Sequence, residues 1–421
     1  MISLVLAEVA VLCPGALEAA PGAAEIAGVQ IDSRRISPGD LFVAVGQGAE
    51  FVADARARGA AATLVPDDAF AALAALAGVV RARSSARVVG ITGSTGKTST
   101  KDILAALCRP HARTVAAEAS FNNELGVPLT LCRLEPDTEI CILELAMRGP
   151  GQIAELCSFA RPEIGIVTSV GPAHLELVGS LNGVVRAKAE LIEALPPGGT
   201  AIVPEGFPVE RADLDVVRVG EPHTRVAGDR TFVRFEGQDV EFAFAARHQA
   251  RNAVAALHAA RTLGLPVESP VAVALSPWRG EEVDLPGGGL LINDAYNANP
   301  DSMRAALEHL VDRAEGRRTV AVLGDMAELG HDGPRYHREI AALLRELEID
   351  VLFAVGSLSE AYLESRAPVA WWQAEVDLVA VVEALALRLR AGDCVLVKGS
   401  RAMGLEKVAE ALAAVKAQAS W

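Results

Sequence analysis

Aromatic residues are scarce in this chain: Phe, Trp and Tyr make up 4% of its 421 residues. Positive charge is also in the minority, because 39 Lys and Arg face 54 Asp and Glu, which gives a formal net charge of −15. A protein that coats nucleic acid needs a basic face for the phosphates and aromatic rings that stack on bases. We therefore expect no nucleic-acid partner, and any phosphate-binding site must be local and preorganised.

Cysteine pairs and membrane-length segments are missing as well. The six cysteines stand at 13, 108, 132, 141, 157 and 394 and form no Cys-x-x-Cys pair, which argues against a zinc knuckle or a thioredoxin-type redox site. No charge-free apolar run reaches about 18 residues, and the N-terminus meets Glu8 without a basic region before it. These features predict no signal peptide, no membrane span and a cytoplasmic protein with reduced, mostly buried thiols.

Hydrophobic residues, by contrast, make up 51% of the chain, and the length suggests roughly two to four domains. Apolar strands alternate with helical stretches, the pattern of α/β domains whose parallel sheets are covered on both faces. We divide the sequence into a small first section at 1–84, a central section at 85–286 and a third section at 287–421. A basic link at 81–87 joins the first two sections.

The elements within these sections follow from apolar runs and turn signals. Strands are predicted at 29–31, 41–45, 88–92, 140–144, 164–168, 201–203, 290–293, 319–323, 351–355 and 394–398. Helices are predicted at 68–77, 99–107, 151–159, 181–195 and 248–263. An antiparallel ribbon is expected within 205–246.

The strongest motif is Thr92-Gly93-Ser94-Thr95-Gly96-Lys97-Thr98, which follows an apolar strand and precedes a helix. A loop in this place can wrap backbone N–H groups around phosphates at a helix N-terminus. Lys97 would then reach the β- and γ-phosphates, and the Thr98 hydroxyl would bind Mg²⁺. Position 91 is Ile where the general phosphate-loop pattern has Gly, so the motif is a variant. The alternative is a turn rich in Gly, Ser and Thr that contains a lysine by chance.

Three further side chains of the central section are candidates for chemistry. Glu144 ends a predicted buried strand, where a carboxylate near the phosphate loop could hold Mg²⁺ or could equally be a surface residue. His174 follows the strand at 164–168, and a lone histidine is more often structural. Lys188, taken by itself, is a lysine on a helix surface.

Polar loops follow the strands of the third section, at 293–300, 324–330 and 398–401. Because the carboxyl ends of parallel strands meet at one edge of a sheet, these loops predict a binding edge. In the helix before this section, Asn252 lies one turn after His248. An asparagine can bind a purine edge, but the two residues could also belong to a solvated helix start.

Taken together, the motifs resemble those of the Mur ligases, in order and along nearly the whole chain. The matching segments are Asp32-Ser33-Arg34, Pro38-Gly39-Asp40-Leu41-Phe42-Val43-Ala44, the 92–98 loop, Asn122-Asn123-Glu124-Leu125-Gly126-Val127-Pro128 and Ala173-His174-Leu175-Glu176. The specific part is the pair Asp294-Ala295-Tyr296-Asn297-Ala298-Asn299 and Gly324-Asp325-Met326-Ala327-Glu328-Leu329-Gly330, which separates one ligase of the family from its siblings. The sibling that adds a diamino acid has an Asp-Asn-Pro-Arg signature, which this sequence lacks.

This resemblance implies a three-domain α/β fold. A uridine-nucleotide domain would occupy 1–84, a P-loop-type ATP domain with a mostly parallel sheet 85–286, and a Rossmann-like domain that closes over ATP 287–421. The implied activity is an ATP-dependent amide ligase that joins D-alanyl-D-alanine to UDP-N-acetylmuramoyl-tripeptide through an acyl phosphate, in peptidoglycan precursor synthesis. The implied cofactors are ATP, two Mg²⁺ ions and a carbamylated Lys188, and we expect a monomer.

The same motifs imply residue roles. The catalytic set is Lys97, Glu144, His174 and Lys188, and the Mg²⁺ ligands are Thr98, Glu144, His174 and Lys188. The nucleotide-binding set is Gly93, Ser94, Thr95, Gly96, Lys97, Thr98, Ser99, Asn252, Arg279 and Asp294. The substrate set is Asp32, Ser33, Arg34, Asn122, Asn123, Tyr296, Asn297, Asn299 and Arg401.

The chain also departs from the family pattern. Ala246-Arg247-His248 replaces the usual Gly-Arg-His, and Pro277-Trp278-Arg279 replaces Pro-Gly-Arg. The loop at 46–51 is shorter and lacks Asp-x-His-x-Phe, which affects contacts to the uridine or muramoyl part.

Two rival interpretations remain. One is another amide ligase of the same fold, such as a folylpolyglutamate synthase or a sibling Mur ligase, and Tyr296-Asn297-Ala298-Asn299 argues against it. The other is a nucleotide-regulated binding protein, which would bind nucleotide and form no product.

Overall fold

The first section contains a small mixed sheet and three helices; the computed structural model describes residues 1–173 and 175–415 of the chain. Its strands are β1 (Leu4–Val5), β2 (Gly15–Ala19), β3 (Glu25–Ile26), β4 (Gly28–Gln30), β5 (Asp40–Val43) and β6 (Ala62–Pro66). Its helices are α1 (Leu6–Leu12), α2 (Val52–Ala57) and α3 (Ala69–Arg83). The sheet has the order β2-β6-β5-β4, and β1 pairs with β3.

Helix α3 begins at a side-chain cap. Asp68 accepts hydrogen bonds from the backbone N–H groups of Phe70 (2.9 Å) and Ala71 (3.0 Å), which would otherwise have no partner in the first turn. The helix then runs to Arg83, six residues beyond the predicted end at 77. The predicted link at 81–87 is therefore wrong in extent, because only residues 84–86 separate α3 from the next strand.

The central section is a six-stranded sheet with an appended ribbon. Its strands are β7 (Arg87–Thr92), β8 (Thr114–Ala116), β9 (Ile140–Glu144), β10 (Ile164–Val167), β11 (Thr200–Pro204), β12 (Asp215–Val219), β13 (Thr224–Ala227), β14 (Arg230–Phe235) and β15 (Gln238–Phe242). Its helices are α4 (Lys97–Cys108), α5 (Gly126–Leu131), α6 (Gln152–Ala160), α7 (Leu175–Val178), α8 (Leu181–Glu193) and α9 (Ala250–Thr262).

Every strand pair in the central sheet is parallel, in the order β12-β11-β10-β7-β9-β8. Strand β7 lies in the middle, with β9 on one side and β10 on the other. Its alternate residues enter different cores, Val88 on one face and Val89 on the other, as expected for a sheet covered on both faces. Strand β12 extends this sheet, so the antiparallel ribbon covers only β13–β15 of the range predicted for it.

The third section is a second six-stranded sheet between helices. Its strands are β16 (Glu281–Leu285), β17 (Gly289–Asn293), β18 (Thr319–Gly324), β19 (Val351–Val355), β20 (Val369–Gln373) and β21 (Cys394–Lys398). Its helices are α10 (Pro300–Ala314), α11 (Gly333–Glu346), α12 (Leu378–Ala386) and α13 (Glu406–Val415). Short 3₁₀ helices across the chain are Ser33–Arg35, Gly46–Phe51, Arg247–Gln249, Pro286–Gly288, Gly330–Asp332, Leu358–Ser365 and Arg401–Met403.

The order of the third sheet is β16-β17-β21-β18-β19-β20, with β16 antiparallel to β17 and the other pairs parallel. Strands β17, β21 and β18 are neighbours, so the loops after them leave the same edge, as the sequence predicted. The pairing of β16 places 281–285 in this sheet, ahead of the boundary predicted after residue 286.

Hydrophobic cores divide the chain differently from the sheets. One core contains Leu41 and Leu73 of the first section together with Val88 and Leu143 of the central section. The cores on the two faces of the third sheet contain buried residues of that section alone. All six cysteines are buried free thiols, as predicted. Within the described residues, no helix has the length and apolar character needed to cross a membrane.

Candidate active site

The glycine-rich segment at 93–98 joins β7 to α4, as predicted. Gly93 has φ +152°, and a Cβ atom there would lie 1.9 Å from Oγ1 of Thr168. Gly96 has φ +84°, and a Cβ atom there would lie 2.3 Å from Oδ1 of Asn252. Both positions therefore require glycine for the backbone angle and for the close approach of neighbours.

Polar side chains from the loop after β10 hold this segment in place. The backbone N–H of Thr95 donates to Oγ of Ser169 (2.9 Å), and that of Ser94 donates to the Ser169 carbonyl (3.0 Å). The Ser94 hydroxyl in turn contacts the backbone of Gly171 at 3.0 Å. The segment is thus preorganised by the protein, and its helix N-terminus attracts anions.

Lys97 stands in the first turn of α4 and donates from Nζ to the carbonyl of Gly93 at 2.8 Å. Burial lowers the pKa of Lys97, Glu144 opposes this shift, and Arg279 adds to it. A helix N-terminus, a lysine and an arginine thus act on one region, an arrangement that suits a phosphate chain.

Glu144 ends β9 and is 1% exposed, so it is not the surface residue of the alternative interpretation. Its Oε2 accepts from the Thr98 hydroxyl at 2.8 Å, and its Oε1 accepts from the side-chain amide of Asn122 at 2.7 Å. A carboxylate, a hydroxyl and an amide oxygen are the ligand types that Mg²⁺ prefers. The described residues contain no group of three or more His, Cys, Asp or Glu able to hold a metal. Mg²⁺ in nucleotide sites, however, uses only one or two protein carboxylates with phosphates and water, and Glu144 with Thr98 fits that pattern.

Lys188 lies in α8 and is 2% exposed, which excludes the helix-surface lysine of the alternative. Burial lowers the pKa of Lys188 well below its usual value, and the nearby charge of Lys97 lowers it further. Among the described residues, Lys188 has neither a carboxylate partner nor a hydrogen-bond partner. A buried cation is costly, so the burial of Lys188 favours the neutral amine over the ammonium form. His174, the fourth predicted catalytic residue, lies outside the described residues.

Asn252 lies in the first turn of α9 beside Gly96, and His248 lies in the short 3₁₀ helix that precedes α9. The side-chain amide of Asn252 donates to Oε1 of Gln249 at 2.7 Å. Nδ1 of His248 is buried without a partner, and the ring meets that of His309 edge-on at 5.4 Å. Burial, with a smaller effect from His309, lowers the pKa of His248 to about 4. The ring is therefore neutral near pH 7.

The linker between the central and third sections contacts the third section in two ways. One is a backbone hydrogen bond, and the other is a pair of contacts between a guanidinium group and an aromatic ring. The Trp278 carbonyl accepts from the backbone N–H of Tyr296 at 3.2 Å. The guanidinium of Arg279 lies 3.9 Å from the centre of the Tyr296 ring, and that of Arg401 lies 4.7 Å from the Trp278 ring. Trp278 has φ +62°, the left-handed region that suits the glycine usual at this position.

Asp294 follows β17 and forms a buried ion pair. Lys398, at the end of β21 and 2% exposed, donates from Nζ to Oδ2 of Asp294 at 2.5 Å and to the Asn297 carbonyl at 2.9 Å. Lys398 was not among the predicted site residues. Its place at the end of an apolar strand, at the start of the polar 398–401 loop, was a signal that could have identified it. Ser169 and Ser120 were not predicted either, and the sequence carried no signal for them.

Several of the predicted substrate residues make hydrogen bonds within the protein. Oδ1 of Asn299 caps α10 by accepting from the N–H of Ser302 at 2.9 Å, and the Ser302 hydroxyl completes a capping box at 3.0 Å. Oδ1 of Asn123 accepts from the N–H of Gly126 at 3.0 Å, at the start of α5. The hydroxyl of Tyr296 shares a hydrogen bond with that of Ser120 in the central section.

A cleft of about 1490 Å³ joins these features between the central and third sheets. From the predicted sets it brings together Ser94, Thr95, Gly96, Lys97, Thr98, Ser99, Asn122, Asn123, Glu144, Asn252, Arg279, Asp294, Tyr296, Asn297, Asn299 and Arg401. Its described lining includes neither Gly93 nor Lys188, although Val185, one turn before Lys188, lines it.

The remaining predicted substrate residues lie in the first section and do not line the cleft. Asp32 caps a short 3₁₀ helix by accepting from the N–H of Arg34 at 3.0 Å and pairs with the Arg34 guanidinium at 2.7 Å. This pairing lowers the pKa of Asp32 to about 2. Ser33 between them is buried.

Comparison with known proteins accounts for this architecture. Residues 91–260 match the Mur ligase middle domain, and residues 278–401 match the Mur ligase, glutamate ligase domain. UDP-N-acetylmuramoyl-tripeptide–D-alanyl-D-alanine ligase of Mycobacterium tuberculosis is 37% identical, with 98% of each chain covered.

Solved structures agree with these matches. The crystal structure of MurF from Acinetobacter baumannii superposes with a TM-score of 0.85 at 27% identity, covering 98% of this chain and 99% of that one. MurF ligase from Thermotoga maritima in complex with ADP superposes with a TM-score of 0.79 at 28% identity, covering 92% and 97%.

A phosphate-type loop on a parallel sheet, facing a second α/β unit across a cleft, is the arrangement of an amide ligase built from these domains, and the chain belongs to the Mur ligase family. The family and the α/β fold class expected from the sequence are confirmed. Within the family, the three relatives just described all carry the name of a single member, MurF or its full enzyme name.

Proposed function

We propose that this chain is a UDP-N-acetylmuramoyl-tripeptide–D-alanyl-D-alanine ligase. It would form an amide bond between the two substrates with ATP, releasing ADP and phosphate, in peptidoglycan precursor synthesis. The observation that carries the proposal is the cleft, where the glycine-rich segment and the Thr98–Glu144–Asn122 cluster face Tyr296 and Asn297 of the third sheet. The high coverage and the names of the relatives support the same activity.

ATP would bind along the glycine-rich segment. Gly93, Gly96 and the backbone N–H groups at the start of α4 surround the phosphates in this proposal, with Lys97 reaching their terminal oxygens. Asn252 lies beside Gly96 and would contact the adenine. Arg279 and Asp294 would bind the ribose side of the nucleotide. The ADP in the Thermotoga maritima relative supports a nucleotide in this cleft.

Mg²⁺ fits the oxygen donors of Thr98 and Glu144, which lie 2.8 Å apart. His174 and Lys188 are proposed to complete the ligands of two ions. When bound, the ions would neutralise phosphate charge. Lys188 could act as an anionic ligand only after carbamylation: its neutral Nζ would form a bond to the carbon of CO₂, and one N–H proton would pass to solvent. Its burial, and the absence of a carboxylate partner among the residues that the structure describes, support this modification.

The reaction would proceed in two steps. An oxygen of the tripeptide's terminal carboxylate forms a bond to the γ-phosphorus, and the bond from that phosphorus to ADP breaks. The neutral amine of D-alanyl-D-alanine then forms a bond to the acyl carbon, one N–H proton passes to solvent, and phosphate leaves with the electron pair of the broken C–O bond. In the first step two anions approach each other, and two unit charges about 4 Å apart repel by about 4 kcal/mol at an effective dielectric near 20. Lys97, Arg279 and the N-terminus of α4 would offset this repulsion.

The rest of the chain would serve binding and closure. We propose a uridine-nucleotide domain at 1–84 with Asp32, Ser33 and Arg34, an ATP domain at 85–286, and a domain at 287–421 that closes over ATP. Asn122, Asn123, Tyr296, Asn297, Asn299 and Arg401 are the proposed contacts to the substrates. Buried free thiols support a cytoplasmic enzyme, and we propose that it is a monomer.

The test is phosphate release from purified protein with ATP and Mg²⁺, with UDP-N-acetylmuramoyl-tripeptide and D-alanyl-D-alanine added singly and together. The proposal expects release only with both substrates and a pentapeptide product by mass spectrometry. Parallel tripeptides with meso-diaminopimelate or L-lysine identify the third residue. Nucleotide binding without product from either tripeptide would contradict the proposed acceptor, and folate acceptors would be tested next.

A further inference from the structure

One loop of the central section touches all three sections of the chain. This 117–123 loop lies between β8 and α5. Within it, Asn122 donates to Glu144 in the cleft (2.7 Å), and Ser120 shares a hydrogen bond with Tyr296 of the third section. Glu118 forms an ion pair with Arg35 of the first section at 2.9 Å. The position of this loop therefore determines where the Asn122 amide lies in the cleft and where the Ser120 hydroxyl meets Tyr296.

The loop has no regular secondary structure to hold it. Ala119 has φ +44°, in the left-handed region that residues other than glycine rarely adopt. Backbone in this conformation persists when surrounding contacts fix it. The loop must therefore be held by interactions with its neighbours.

Lys101, in the second turn of α4, supplies those interactions. It is 3% exposed, and its Nζ donates to the carbonyls of Ala117 (2.9 Å) and Ala119 (3.0 Å). The same Nζ pairs with Oδ1 of Asp102 at 2.8 Å. Two of the N–H donors of the ammonium group therefore bond to the loop, while the carboxylate of Asp102 balances its charge. This buried, paired cation fixes both carbonyls that flank Glu118.

The carboxylate of Asp102 also binds the start of the linker between the central and third sections. Oδ2 of Asp102 accepts from the backbone N–H of Ser276 at 2.7 Å. Ser276 lies two residues before Trp278, which with Arg279 binds the third section. The ion pair thus holds the 117–123 loop and the start of the linker against one helix.

That helix is the one that begins at the glycine-rich segment. Lys97 and Lys101 are four residues apart in α4 and lie on the same helix face. Lys97 contacts the proposed nucleotide site through Gly93, whereas Lys101 is absent from the described lining of the cleft. Lys101 therefore acts on the cleft only through the backbone that it binds.

We propose that Lys101 is a positioning residue for UDP-N-acetylmuramoyl-tripeptide, the acceptor substrate. It sets the position of the 117–123 loop, and with it Asn122 and Ser120, relative to the nucleotide. The inference rests on the proposed function. It assigns to the second lysine of the helix a role in acceptor binding that is separate from the phosphate contact of Lys97.

The test compares Lys101→Met, which keeps the aliphatic stem and removes the donors, with Lys101→Arg, which keeps the charge and donors. Lys407→Met, at an exposed lysine of α13, is the matched control. The measurements are the affinity for ADP by calorimetry, KM for UDP-N-acetylmuramoyl-tripeptide, kcat and Tm. We expect Lys101→Met to raise that KM about 10- to 100-fold while ADP affinity changes less than about twofold. Lys101→Arg should recover part of the loss, and the control should match the wild type.

An unchanged KM in folded Lys101→Met protein would overturn the inference. It would also be overturned if ADP affinity and acceptor KM worsened equally with a lower Tm, because that indicates a general structural role. Should Lys101→Met not fold, Lys101→Gln, whose amide still donates to one carbonyl, is held to the same criteria. Wild-type protein that forms no pentapeptide would instead contradict the proposed function.

Discussion

The Thr98 hydroxyl donates a 2.8 Å hydrogen bond to Oε2 of Glu144, where the glycine-rich segment passes into α4. The two residues are far apart in sequence: Thr98 lies in α4, which follows β7, and Glu144 ends β9, the parallel neighbour of β7. Their contact places a carboxylate at the N-terminal turn of α4, beside the glycine-rich segment. The Glu144 carboxylate is buried and accepts hydrogen bonds only from the neutral groups of Thr98 and Asn122 among the described residues. Its negative charge can therefore bind a cation.

Replacing Glu144 by Gln tests this arrangement. The amide keeps the size of the side chain but removes its charge, so turnover should fall about 100-fold or more while the protein stays folded. Phosphate release with both substrates measures the effect. Glu193→Gln, at the exposed end of α8, is the control and should match the wild type. Turnover within about threefold of wild type would contradict a role for the Glu144 charge.

Lys97→Ala should abolish acyl phosphate formation, because the variant loses the cation closest to the glycine-rich segment. Trapping the acyl phosphate by reduction and measuring ADP release both monitor this step. Arg109→Ala, beyond the other end of α4, serves as the control. Near-normal turnover in Lys97→Ala would eliminate the phosphate assignment of this lysine.

Lys188→Ala should lose activity and regain part of it when short carboxylic acids are added, because they can replace the carboxylate of a carbamate. Wild-type protein should also show a carbamate signal by NMR after incubation with isotopically labelled bicarbonate. Glu144→Gln tested with the same acids is the control and should not be rescued. Absence of both the rescue and the signal would refute the carbamylated lysine.

Asn299 can be tested for two separate roles. Its side-chain oxygen caps α10, so Asn299→Ala should lower the free energy of unfolding by about 1 kcal/mol. Asn299→Asp keeps a capping oxygen and loses the amide N–H₂ group. If Asn299 also contacts substrate, Asn299→Asp should raise a substrate KM without lowering Tm. Normal Tm and normal kinetics in Asn299→Asp would contradict a substrate contact and show that Asn299 serves only as the cap of α10.

The stability of the protein should fall as the pH falls through the range from about 6.5 to about 4. The pKa of His248 is lowered from 6.5 to about 4 by burial, so the unfolded chain takes up a proton in this window while the folded chain does not. Uptake by the unfolded state alone favours unfolding. The window is separate from that of Glu282, whose pKa is lowered to about 2 and whose contribution is lost only at more acidic pH.

Tm measured between pH 7 and pH 4 checks this expectation. His248→Gln, which cannot titrate, should show a shallower decline of Tm across the window. His331→Gln is the control, because the side chain of His331 is 92% exposed. Equal slopes for the wild type and His248→Gln would show that His248 does not take part in the acid sensitivity.

The sequence predicted those parts of the fold whose signal is local. The strands at 140–144, 351–355 and 394–398 have the predicted bounds because each is a short apolar run between polar residues. The end of α3 was missed because Arg81 and Arg83 were taken as a link, whereas the helix continues and both side chains make tertiary hydrogen bonds. Strand β16, rich in charged residues, carries no apolar run and depends on its partner β17.

The candidate site was predictable where a motif carried it and not where tertiary contacts define it. The glycine-rich segment and Glu144 stand out in the sequence, and the structure brings them together. The ammonium of Lys398 beside Asp294 and the Ser120 hydroxyl beside Tyr296 depend on the packing of separate loops. The capping bonds of Asn123 and Asn299 were not predicted. Asparagine suits helix caps and ligand contacts equally well, so the motif alone does not distinguish the two roles.

The way the hydrophobic cores are shared decides how many packing units the molecule has. Because one core crosses from the first section into the central section, these two sections form a single packing unit. The third section has cores of its own and meets the central section through polar and ring contacts, such as those of Tyr296. Three sections by sequence are thus two packing units, and Trp278 and Arg279 lie in the segment that connects them.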